Sequence, residues 1–201
     1  MQKIKAYVGT HCRHKGRFLT IDALRRELVL SVGSDRTQLF KVPEKRILIF
    51  RAPAPSLECG CFISNGEFLS GSDNGCIARW SILERKPVSM VQDAHAVIAD
   101  GLNANGNLAC SWVSSVAVCR RSDLAASGAG NGCVRLWGVE SESRDIRPLY
   151  ELPLFGFVNS LAFAKSGRFL IAGVEQEPRL GKWGRLKSVQ NGVAIHPLRL
   201  S

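Results

Sequence analysis

His11, Cys12 and His14 stand within four positions of one another, and imidazole beside thiol is a donor set that zinc uses. A structural zinc site needs a second pair at a fixed interval, and none follows, so the cluster is read without a metal. Cys59 and Cys61 would share one face of a strand but also lack a matching pair. With Cys12, Cys76, Cys110, Cys119 and Cys133 they make seven thiols scattered through apolar segments. An odd, dispersed set points to reduced packing residues rather than a disulfide framework. Asp73 and His95 could be imagined as an acid and a base, but each stands alone; they read better as a turn-capping carboxylate and a surface imidazole. The sequence holds no Gly-rich phosphate loop ending in Lys-Ser or Lys-Thr, no Gly-x-Ser-x-Gly and no His-Glu-x-x-His. These residues describe a protein that is not an enzyme and uses no metal, cofactor or small-molecule substrate.

The charge balance points elsewhere. Twenty-seven Lys and Arg against seventeen Asp and Glu leave a formal net charge of +10, which attracts polyanions, and nucleic acid is the commonest polyanion in a cell. Hydrophobic residues at 45% and charged residues at 22% are the proportions of a globular chain. No apolar run approaches the ~20 residues of a membrane-spanning helix, and the basic start, Met1–Arg17, has no apolar core of a secretory signal. The expectation is a soluble intracellular protein with no membrane partner.

The elements that would position any site come from an internal repeat. Leu28-Val29-Leu30-Ser31-Val32-Gly33-Ser34-Asp35 is echoed by Phe68-Leu69-Ser70-Gly71-Ser72-Asp73-Asn74-Gly75, then by Leu124–Gly132, then by Phe169–Gly173. Each copy is followed by a short apolar run that closes on an aromatic: Phe40, Trp80, Trp137 and Trp183. Asp73-Asn74-Gly75 and Gly130-Asn131-Gly132 supply the residues that tolerate positive φ in a tight hairpin. A further strand precedes each of the last three copies, at Leu57–Ile63, Trp112–Cys119 and Val158–Phe163, and another follows, as at Pro87–Val91 and Leu149–Leu152. Ile21–Leu28 could pass for a short helix, but the repeat register makes it strand. The closing aromatics are 40, 57 and 46 residues apart. Two of these spacings fit the ~40–45 residues of a four-stranded propeller blade, and the long one fits an inserted loop at about 93–110.

These motifs resemble the WD-repeat family, whose blades end a third strand in Trp-Asp after an Ala/Ser-Gly-Ser-x-Asp-Gly turn. The resemblance covers about 18 to 184 and implies an all-β, WD40-type β-propeller of about four four-stranded blades. Blade cores are expected at about 18–42, 57–91, 112–152 and 157–198, after a poorly matching segment 1–17. The residue after each closing aromatic is Lys41, Ser81, Gly138 or Gly184, never Asp, and Ala94-His95 is the one relic of the family's Gly-His. The His–Asp network that stiffens such blades is therefore expected to be incomplete, with Asp73 capping its own turn.

The run Pro153–Phe163 continuing through Gly167–Glu177, Arg179–Trp183 and Asn191–Arg199 is similar to the last blade of the WD-repeat proteins of the U3 small nucleolar ribonucleoprotein. Ser115-Val116-Ala117, Ser127-Gly128 and Cys133–Trp137 resemble the blade before it. The resemblance implies binding of U3 small nucleolar RNA and of box C/D particle proteins, a role in pre-rRNA processing and small ribosomal subunit biogenesis, and a place in the nucleolus. It also implies that these blades form an open arc of a seven-bladed ring. A protein–protein scaffold or ubiquitin-ligase substrate adaptor is the competing function.

For RNA the candidate contacts are Arg179, Lys182, Arg185 and Lys187, on and after a loop longer than its counterparts; loops on a rigid scaffold are where propellers bind, and Arg suits phosphates and unpaired bases. Arg79 and Arg135, at similar places in two blades, are expected to be structural, with stems packed between blades. Arg25, Arg26, Lys45, Arg46, Arg120 and Arg121 read as solubilising turn cations, and Phe155 and Phe157 as core.

Overall fold

The computed structural model describes residues 14–24, 28–34, 36–41, 44, 46–51, 56–84, 86–96, 112–120, 122–179, 181 and 184–198. His11, Cys12, Cys110, Lys182, Trp183 and all of the expected inserted loop beyond 96 lie outside the described residues.

Alternating apolar residues separated by Gly-, Asn- and Ser-rich turns fold into antiparallel hairpins, and the hairpins join into four sheets in chain order. The first blade holds β1 (Phe18–Leu24), β2 (Leu28–Gly33), β3 (Arg36–Lys41) and β4 (Arg46–Phe50). The second holds β5 (Leu57–Phe62), β6 (Glu67–Ser72), β7 (Ile77–Ser81) and β8 (Pro87–Val91). The third holds β9 (Ser115–Cys119), β10 (Leu124–Gly128), β11 (Cys133–Gly138) and β12 (Arg147–Pro153). The fourth holds β13 (Phe157–Phe163), β14 (Phe169–Glu175) and β15 (Gly192–Pro197). Gly75 and Gly132 take φ of 79° and 85° in the β6–β7 and β10–β11 turns, the left-handed conformation that selects glycine there.

Two boundaries differ from expectation. The first blade runs past 42 to Phe50, because Arg46–Phe50 pairs along β3 from Thr37–Phe50 to Lys41–Arg46. In the fourth blade the strand beside β14 is Gly192–Pro197, and the expected closing aromatic Trp183 lies outside the described residues. The long loop after β14 postpones the return strand, so His196, opposite Leu170, occupies the register position that Trp137 holds opposite Ala125.

The core is three separate clusters, one at each junction between neighbouring blades. Leu30, Leu39 and Phe50 of the first blade pack on Phe62, Phe68 and Trp80 of the second. Cys59, Leu69 and Ile77 of the second meet Ala125, Trp137 and Val139 of the third. Leu124, Val134 and Leu136 of the third meet Val158, Leu170 and Val174 of the fourth. Four blades with three junctions make an open arc, since a closed ring of four would need a fourth cluster, and none joins the fourth blade to the first among the described residues. Two glycines set the closeness of the junctions. A Cβ on Gly71 would press on Val113 at 2.5 Å, and one on Gly128 would collide with Val158. The second and third blades thus each admit a valine from the chain that follows, Val113 just before β9 and Val158 within β13.

Candidate nucleic-acid interface

The rigidity of any binding face rests on polar networks within and between the blades. In the third blade Trp137 Nε1 donates to Ser127 Oγ at 2.7 Å, and Ser127 Oγ lies 2.7 Å from His95 Nε2. His95 Nδ1 in turn lies 3.0 Å from Asn131 Oδ1. Since the amide oxygen only accepts, Nδ1 carries the proton, Nε2 accepts from the serine, and the chain of donors runs Trp137, Ser127, His95, Asn131. His95 is fully buried, and burial pulls its pKa down to about 4, so it is neutral at physiological pH. It is not a surface residue, and the network expected to be incomplete is closed in this blade, with Asn131 at the Asp position of the turn pattern. His14 Nε2 makes the corresponding contact to Ser31 Oγ at 2.8 Å in the first blade. The second blade keeps the indole–serine bond, Trp80 Nε1 to Ser70 Oγ at 2.9 Å.

Asp73 also differs from expectation. Its turn is capped by Asn74, whose Oδ1 accepts from Ser72 Oγ at 2.6 Å. Asp73 instead ties that turn to the chain leading into β5, its N–H donating to Ser56 O and its carboxylate accepting from Ser56 N. Trp80 and Trp137 are buried at the first and second blade junctions, and Phe40 is buried in the first blade. Arg79 is structural as expected: wholly buried, it ion-pairs with Glu67 at 2.7 Å and donates to Glu140 O and Asp145 O of the next blade. Arg135 likewise reaches Ala94 O and Glu151.

The first strands of the four blades line a central channel of about 340 Å³. Two arginines brace it between blades that are not neighbours. Arg120, expected to be a mere solubilising cation, reaches from the third blade to Asp22 on β1 at 2.9 Å, because the arc curls β1 toward β9. Asp22 also accepts from Phe62 N at 2.8 Å, so one carboxylate links three blades. Near the opposite end Arg179 Nη2, from the fourth blade, donates to Glu58 O of the second at 2.9 Å. Burial raises the carboxyl pKa of Glu58 beside it.

Arg179, Arg185 and Lys187 share the loop from Gln176 to Asn191, and Gln176 organises it. Its N–H donates to Asn191 Oδ1, its amide nitrogen to Val189 O at 2.6 Å, and its amide oxygen accepts from Arg185 at 3.1 and 3.3 Å. Asn159 fixes the start of the loop, accepting from Arg179 N and donating to Glu175 and to Glu177 O. The three cations are therefore on one loop but do different things. Arg179 is partly buried against the channel, Arg185 lies 3.7 Å from Glu177, and Lys187 is exposed. Lys182 lies outside the described residues. Gln176 and Asn159 were invisible as organisers in the sequence; the one signal was the polar residues bracketing an overlong loop. Phe155, expected in the core, is 81% exposed, while Phe157 stacks on Trp112 with ring centroids 6.3 Å apart.

The family described as WD domain, G-beta repeat matches residues 104–138. The chain is 70% identical over 200 residues to the U3 snoRNP-associated protein-like EMB2271 of Arabidopsis thaliana, covering 98% of this chain and 42% of that protein. It is 41% identical over 157 residues to the mouse U3 small nucleolar RNA-interacting protein 2, covering 78% of this chain and 32% of that protein. Among solved structures, the WD40 repeats of RRP9 superpose with a TM-score of 0.89 at 37% identity, over 96% of this chain and 58% of that one. The structure of U3-55K gives 0.88 over the same shares. The chain spans about two-fifths of the length of the plant relatives it matches. It therefore belongs to the WD40-repeat β-propellers, as a homologue of the U3 snoRNP-associated proteins over the part of them that it spans.

Proposed function

We propose that this protein is a non-catalytic subunit of the U3 small nucleolar ribonucleoprotein, binding U3 RNA and box C/D particle proteins in the nucleolus during pre-rRNA processing and small-subunit biogenesis. The observation that carries the reading is identity of 55–70% across 90% or more of the chain to three plant proteins named as U3 snoRNP-associated. The charge of +10 and the braced scaffold are consistent with it, because a stiff arc can present loop cations to RNA without ordering them anew on binding. Arg185 and Lys187 are the exposed candidates for phosphate contact, Lys182 is a candidate by sequence, and Arg179 acts from the channel mouth.

The test is recovery of RNA with the tagged chain from nuclear extract across a salt series. Enrichment of U3 RNA over other small RNAs, fading as salt rises, is the expected result. Recovery of U3 RNA no better than that of unrelated RNA would overturn the RNA reading and favour a protein adaptor.

A further inference from the structure

The short turn between β12 and β13 and the first residue of β13 each touch the cationic loop. A Cβ on Gly156 would meet Val189 at 2.9 Å, two residues from Lys187, and one on Gly184 would meet Phe157 at 3.3 Å, one residue before Arg185. The turn is held rigidly. Gly156 has φ of 127°, backed by Val174 and Glu175 O, and Leu154 N donates to Gly132 O at 2.8 Å. At its apex Phe155 presents its ring to solvent. A lone exposed aromatic is ordinary on a protein surface. Here the turn that carries the ring packs on the loop that carries two exposed cations. The loop's nearer carboxylates are already engaged, Glu175 by Asn159 and Glu177 by Arg185. A π-face next to guanidinium and ammonium groups is the combination that holds an unstacked nucleotide, ring on base and cations on phosphate.

We infer that Phe155 is a base-stacking residue that receives an unpaired nucleotide of RNA, with Arg185 and Lys187 holding the adjacent phosphates. The inference rests on the RNA reading above and adds the site and the mode of contact. It is tested on the purified full chain with a U3 RNA transcript, by filter binding across a salt series. Phe155→Ala weakens binding about 5- to 100-fold with the salt slope unchanged. Phe155→Trp preserves binding, and Phe155→Leu, which keeps apolar bulk but has no π-face, behaves like alanine. Lys187→Ala weakens binding and lowers the salt slope by about one. Circular dichroism and melting of the Phe155 variants stay at wild type, because the side chain packs against little. Wild-type affinity in Phe155→Ala, or full binding lost in Ala and restored in Leu, overturns the stacking role while leaving the RNA reading intact. Absence of salt-sensitive binding by the unaltered chain overturns both. A Phe155→Ala chain that binds RNA normally but loses a protein from extract assigns the ring to a protein contact and also overturns the inference.

Discussion

His95 concentrates much of what a single residue does in this fold. Its imidazole is neutral in the native state with a pKa of about 4, against roughly 6.5 when unfolded. Between those values the unfolded chain binds a proton that the native chain does not, so stability falls as pH drops from about 6.5 towards 4 and levels off below. The full loss from this one group is on the order of 3 kcal/mol. Urea unfolding midpoints followed over pH 4–7 should show it, and His95→Gln should flatten the profile over that window. Asn131→Asp replaces a neutral acceptor at 3.0 Å with a charged one, which favours the imidazolium and raises the His95 pKa. Histidine NMR titration should report that rise, and the acid sensitivity of the variant should shrink with it.

At the scale of the element, the glycines that follow Ser70 and Ser127 govern how closely blades approach. Gly128→Ala forces a methyl into Val158 and onto Ser115 Oγ, which itself donates to Val158 O at 2.8 Å. Overpacking of this kind costs about 1–3 kcal/mol. Gly66→Ala and Gly192→Ala, where an added Cβ meets nothing within 4 Å, should leave the midpoint nearly unchanged. A Gly128→Ala midpoint equal to those controls would mean the third junction yields freely. The same junction holds Val189 in its core, so loosening it would also shift the loop that carries Arg185 and Lys187.

At the scale of the whole molecule, the open arc leaves the far side of the fourth blade uncovered. Val193 and Ile195 are 70% and 65% exposed on β15, opposite Gly173 and Ile171, and Phe169 is exposed beside them. In the other blades the corresponding side packs on the next blade. An apolar sheet face without a neighbour promotes association. The chain on its own should therefore sediment as concentration-dependent species, and Val193→Lys with Ile195→Lys should shift it towards monomer. A wild-type chain that stays monomeric at high concentration would show that this face is tolerated in water.

The sequence by itself determined the local structure of this protein. Asn-Gly turns fix hairpins, alternating apolar residues fix strand faces, and the recurrence of a serine ten residues before a tryptophan, Ser70 with Trp80 and Ser127 with Trp137, fixes the blade. All these act over a few residues, where spacing can be read directly. The tertiary structure alone decided which groups meet across long separations. His95 reaches Ser127 over 32 residues, Arg120 reaches Asp22 over 98, and Arg179 reaches Glu58 over 121. It also decided that Gly192–Pro197 would be the strand beside β14, since a strand chooses its partner by ladder register and packing rather than by its nearness in sequence. Of the candidate site, the cationic loop was legible because overlong polar loops stand out against a repeat. The exposure of Phe155 was not, because an aromatic between a leucine and a glycine has the same spelling whether the backbone turns it inward or outward. Here the positive φ of Gly156 sets that turn.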